Sequence, residues 1–118
     1  MSHQDIDELA NQLRHFAADR DWEQFHSPKN IAMALSVEVA EILEHFQWLT
    51  EQQSRDLSPE KSVMVELELG DAFIYLVRLA DKLNVDLIAA AKKKLTINET
   101  KYPTDQVKGS AKKYTEYE

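Results

Sequence analysis

The sequence predicts an all-α protein, a four-helix bundle-like domain followed by a polar tail. Three observations carry this. Only two glycines and three prolines occur in 118 residues, too few breakers for a protein of many short strands. Apolar residues recur at helical spacing over long stretches. Ser-Pro occurs twice, at Ser27-Pro28 and Ser58-Pro59, and each pairs a capping residue with a proline suited to the first helical position.

The first helix is expected over 4–20, where Ile6, Leu9, Leu13, Phe16 and Ala17 keep the helical period. An aromatic, less periodic stretch, RDWEQFHSPKN (20–30), follows. A second helix runs from about 28 to 49. The polar segment 50–58 reads as a loop or short turn. Ser58-Pro59-Glu60 opens a third helix that reaches about Leu83. Asn84 reads as the junction and cap of a fourth helix, with Asp86 in its first turn and Pro103 just past its end. The domain is therefore expected over 1–103 and the polar tail over 104–118. Helices in one chain of this size pack as an all-α bundle.

Composition narrows the function. Hydrophobic residues make up 43% and charged residues 30%, so an ordered globular body is expected. With no cysteine, disulfides, thiolate zinc sites and cysteine nucleophiles are excluded. The formal net charge of −7 disfavours nucleic-acid polymers, whose binding calls for a basic stripe. A small phosphorylated ligand held with a cation remains compatible with it. No apolar run is long enough to span a membrane and no signal-peptide pattern opens the chain, so a cytoplasmic location is expected.

The chemistry is carried by acids in unusual places. In SVEVAEILEHFQWL (36–49), Glu38 and Glu41 lie three apart among apolar neighbours. In MVELELGDAFIYLVRLA (64–80), Glu68 and Asp71 repeat the spacing, and Glu68 is flanked on the wheel by Val65, Ala72, Tyr75 and Leu79. Ionised carboxylates are costly on an apolar face unless paired or metal-bound, and two facing pairs would repel. A divalent cation resolves both problems, and an all-oxygen ligand set suits Mg²⁺, or Mn²⁺, over zinc or copper. The competing reading is that the acids are solvated or bridged to Arg78, Lys92, Lys93 or Lys94. Glu44 and Glu66 point away from the apolar faces and fit that reading. A di-iron centre requires Glu-x-x-His motifs, and no histidine stands three after Glu38, Glu41, Glu66 or Glu68.

Two further groups complete the candidates. Lys94 and Asn98 lie four apart on the fourth helix and share a face able to meet phosphate oxygens; alone, they also fit a solvated last turn. Trp22, Phe25, His26 and Trp48 offer aromatic faces on which a base can stack, or simple core and interface packing.

Taken together, these stretches resemble the MazG-like branch of the all-α nucleoside triphosphate pyrophosphohydrolases, and its dCTP pyrophosphatase subgroup in particular. The matching residues are RDWEQFHSPKN (20–30), EVAEILEHFQW (38–48), ELGDAFIYLV (68–77), VDL (85–87), the K-x-x-x-N-x-x-x-YP series of Lys94, Asn98, Tyr102 and Pro103, and GSAKKYT (109–115). The resemblance implies hydrolysis of a triphosphate to monophosphate and pyrophosphate with Mg²⁺. It implies metal ligands at Glu38, Glu41, Glu68 and Asp71, nucleotide contacts at Trp22, His26, Trp48 and Tyr75, and phosphate contacts at Lys94 and Asn98. It also implies a homodimer or homotetramer, which the broad apolar faces favour independently. Broader members carry a doubled acid, E-E-x-x-E; Val37 stands in the first of those positions, as in the dCTP subgroup. Animal dCTP enzymes carry a histidine where Leu13 aligns.

The expected function is thus a Mg²⁺-dependent pyrophosphohydrolase of deoxynucleoside triphosphates, dCTP-like by preference, that cleans the nucleotide pool. Glu41, with Glu38, is the expected catalytic group. The alternative is a non-catalytic helical nucleotide-binding or interaction module.

Overall fold

A computed structural model describes residues 2–110. Residues 111–118, with most of the GSAKKYT stretch and of the expected tail, lie outside the described residues. Every regular element within them is helical: α1 His3–Asp19, a 3₁₀ turn Glu23–Phe25, α2 Pro28–Phe46, α3 Glu51–Arg55, α4 Pro59–Lys82, α5 Leu87–Lys101 and α6 Thr104–Val107. The expected all-α class is what the chain adopts.

Local chemistry places the ends. Ser27 and Ser58 cap α2 and α4, their hydroxyls accepting from the amides of Asn30 and Lys61, with Pro28 and Pro59 in the first turn. Ser2 and Asp5 form a capping box on α1. The segment expected as a loop or short turn at 50–58 holds a five-residue helix, because Thr50 and Gln53 also form a capping box. The junction before α5 differs from expectation. Asp86 is the cap, accepting from the Ala89 amide. Asn84 instead ends α4 in the left-handed region at φ 54°. There the Val85 amide donates to Ala80 O and the Asn84 amide to Asp81 O, a Schellman closure that satisfies the last carbonyls. Asp21, at φ 55°, ends α1 in the same way, with Trp22 donating to Ala17 O.

By packing, the chain divides into two compact units, one up to Val85 and one from Asp86 onward. The expected boundary at Pro103 falls within the second unit, just after α5. In the first unit α4 packs against both α2 and α1. Its core is Ala10 and Ala17 from α1, Ile31 from α2, and Val65, Val77 and Ala80 from α4. A bidentate ion pair from Arg14 to Asp81, at 2.8 and 3.0 Å, ties α1 to α4. The second unit comprises α5 and the single turn α6.

Candidate active site

Helices α2 and α4 run antiparallel: His26, just before α2, meets Arg78 near the end of α4, while Glu38 and Glu41 meet Glu68 further along. One carboxylate oxygen from each of these three acids lies within 4.8 Å of the others. All three are half-buried. Oε2 of Glu38 and Oε2 of Glu68 are sealed from water without a hydrogen-bond partner.

Such an arrangement is unstable for three anions. The Glu68 carboxyl is pushed up to about 7, first by its hydrogen bond with Glu41, then by burial and by the charges of Glu41, Glu38 and Asp71. Glu38 is raised too, chiefly by burial and then by Glu41. A hydrogen bond between carboxyls needs a shared proton, so the cluster demands either protons or a cation. The donor set is all oxygen, and two of its buried oxygens lack donors. That fits a hard divalent ion. Asp71, the fourth expected ligand, is exposed and stands outside the trio, yet close enough for its charge to raise both Glu38 and Glu68.

Seven residues beyond Glu68 on the same helix, Tyr75 lines a cavity of about 70 Å³ with Leu13, Phe16, Trp22, His26, Ile74 and Arg78. An α-helix rises ~1.5 Å per residue, so Tyr75 lies about 10 Å from Glu68 along α4. The cavity is aromatic on one side. Phe16 and Trp22 meet edge to face at 5.7 Å, and Trp22 and His26 lie tilted at 6.3 Å. Trp22 reaches this place because the Schellman closure of α1 turns the chain at Asp21. Of the expected nucleotide contacts, Trp22, His26 and Tyr75 therefore come together. Trp48, just past α2, is 86% exposed and does not line this cavity. Lys94 and Asn98 stand one turn apart on α5, Lys94 exposed and Asn98 half-buried.

Arg78 departs most from the expectations. It is not a partner of the Glu38, Glu41 and Glu68 cluster. Only 3% exposed, it donates to Glu23 Oε1 at 2.7 Å and to His26 Nδ1 at 3.1 Å, and it lies 3.8 Å from Asp81. Lys82 joins it on Glu23, and these two bonds hold the Glu23 carboxyl below the usual range. Glu23 and Arg78 were readable in the chain only as a charge inside WEQFH and a lone cation inside IYLVRLA; helical spacing does not say that they meet.

An antiparallel helix pair that gathers carboxylates beside an aromatic cavity defines an all-α protein with a carboxylate cluster able to hold a metal ion. Among proteins of that class, the family model described as MazG-like matches residues 33–117, and the chain belongs to the MazG-like family. Human dCTP pyrophosphatase 1 is 46% identical over 103 residues, and the bovine protein of that name 45%. Each match covers 86% of this chain, and the chain spans 61% of the length of these relatives. A pyrophosphatase from Archaeoglobus fulgidus, known from its crystal structure, superposes with a TM-score of 0.80 at 39% identity, covering 87% of this chain and 96% of that one.

Proposed function

We propose that this chain is a Mg²⁺-dependent nucleoside triphosphate pyrophosphohydrolase. It converts a deoxynucleoside triphosphate, dCTP-like by preference, to the monophosphate and pyrophosphate. The observation that carries this reading is the trio of Glu38, Glu41 and Glu68 within 4.8 Å, with two sealed oxygens that lack donors. The names of the similar proteins, dCTP pyrophosphatase and pyrophosphatase, support the reaction and the base.

Glu38, Glu41, Glu68 and Asp71 would hold the cation, Mg²⁺ or Mn²⁺. A cation bound there supplies charge to the triphosphate oxygens and lowers the pKa of a ligated water. Glu41 takes the proton of the attacking water as its oxygen bonds to the α-phosphorus. The bond from that phosphorus to the bridging oxygen breaks, and pyrophosphate leaves with the electron pair. Lys94 and Asn98 are the residues proposed to contact phosphate oxygens. Trp22, His26 and Tyr75 hold the base, and Trp48 contributes a further aromatic face. Nucleotide-pool cleaning implies a cytoplasmic location, and the exposed apolar faces of α2 and α4 support a homodimer or homotetramer.

Glu41→Gln keeps the shape of the side chain and removes the base. It is expected to lower kcat for dCTP by about 10²–10⁴ while the circular dichroism spectrum is unchanged and the metal-free chain melts no lower. Turnover near that of the unaltered chain would remove Glu41 from the mechanism. Absence of any dNTP hydrolysis by the unaltered chain with Mg²⁺ would leave a binding module.

A further inference from the structure

The cavity beside the carboxylates carries a hydrogen-bond logic that its aromatic walls do not. Arg78 Nη2 lies 3.1 Å from His26 Nδ1. A guanidinium has only donors, so Nδ1 must accept, and an accepting Nδ1 carries no proton. The neutral ring then has its proton on Nε2. We infer that Arg78 is a positioning residue that locks His26 as the Nε2–H tautomer, so that the cavity recognises the acceptor edge of a nucleobase.

The remaining polar groups of the cavity agree. The Trp22 indole is a donor only. The Arg78 Nε–H is buried without an acceptor among the described residues. Tyr75 serves in either sense. Once His26 is a donor, no side chain lining the cavity is an obligate acceptor. A ligand edge rich in carbonyl oxygens or bare ring nitrogens is satisfied, and one that offers only N–H groups leaves donors facing donors, which is costly when buried.

The charges around His26 hold the same state. Arg78 and Lys82 on α4 oppose a proton on the ring, and Glu23 in the 3₁₀ turn favours one. Burial weighs most, and the His26 pKa is lowered from its usual value. Protonating Nδ1 would also turn it against Arg78 Nη2, breaking the bond that orients the ring. Glu23 has its own reason to stay ionised, since Arg78 and Lys82 both donate to it.

This inference rests on the nucleotide-hydrolase reading for its ligand, but not for its tautomer. Nitrogen-15 NMR of the imidazole, recorded near neutral pH without nucleotide, is expected to show a protonated Nε2 and a bare Nδ1 on His26. A protonated Nδ1, or an imidazolium, would overturn the inference. With dCTP and Mg²⁺, Arg78→Met is expected to raise KM about tenfold with kcat nearly unchanged. In a His26→Ala background there is no ring for Arg78 to orient, so Arg78→Met should there raise KM by less than about threefold. An equal rise in both backgrounds would make Arg78 merely structural, because groups that act independently give additive effects. The spectrum is taken on the unaltered chain and decides even where Arg78→Met fails to fold. Should the unaltered chain hydrolyse no dNTP, the functional reading falls, while the spectrum still judges the tautomer.

Discussion

Glu68 has an ordinary carboxyl pKa near 4.5 when free and one of about 7 in the folded chain. Between those values the folded state holds a proton that the unfolded state has released. Stability from this group is therefore fully present below 4.5 and is lost as pH rises through about 7. Glu38 is shifted in the same direction. His26, lowered on folding, has the opposite slope, so the effect is best isolated by difference. The melting temperature of the metal-free chain, minus that of Glu68→Gln, is expected to fall across this window. Metal binding requires ionised ligands, so stabilisation by Mg²⁺ should grow over the same range and shrink in Glu68→Gln. A pH-independent difference would show that the carboxylates are not crowded. The acids themselves were legible, because carboxylates on apolar faces are rare enough to stand out. Their separation was not: Asp71 shares the spacing of Glu41 yet stays exposed, since the neighbouring helix and not the period decides which carboxylate is covered.

Helix ends are governed by residues within four positions of the end, and most were legible for that reason. Ser27-Pro28 and Ser58-Pro59 act as the sequence suggests. The sequence suggests Asn84 as a cap before α5, but it sits at φ 54° and closes α4. Asn tolerates both roles, and only the backbone shows which one is used. A methyl side chain in that region costs about 1–2 kcal/mol. Asn84→Ala is thus expected to destabilise the first unit by about 1 kcal/mol in urea denaturation, while Asn84→Gly is neutral or stabilising. Equal stability of all three would remove the left-handed turn as a determinant. The same device at Asp21 aims Trp22 into the cavity.

At the scale of the whole molecule, the chain leaves many large apolar side chains in the open. Met33, Val37 and Leu43 on α2 and Val63, Leu67 and Leu69 on α4 are all exposed. Apolar exposure of this extent marks an association surface. We expect sedimentation velocity to give a homodimer or homotetramer, and a single species at 13.6 kDa would refute it. Among the described residues, no helix is long and apolar enough to cross a membrane.

The sequence by itself determined the all-α class, most ends of the four long helices and the set of acids from which a metal site would be built. Those features depend on neighbours within one or two turns, through capping hydrogen bonds, proline geometry and the helical period. Only the tertiary structure decided which residues meet: Glu38 and Glu41 with Glu68, Trp22 with Tyr75, and Arg78 with Glu23 and His26 rather than with the carboxylate cluster. These pairs are separated by 27 to 55 positions. They are joined by the antiparallel packing of α2 on α4 and the turn at Asp21, and no local propensity encodes the register of one helix on another.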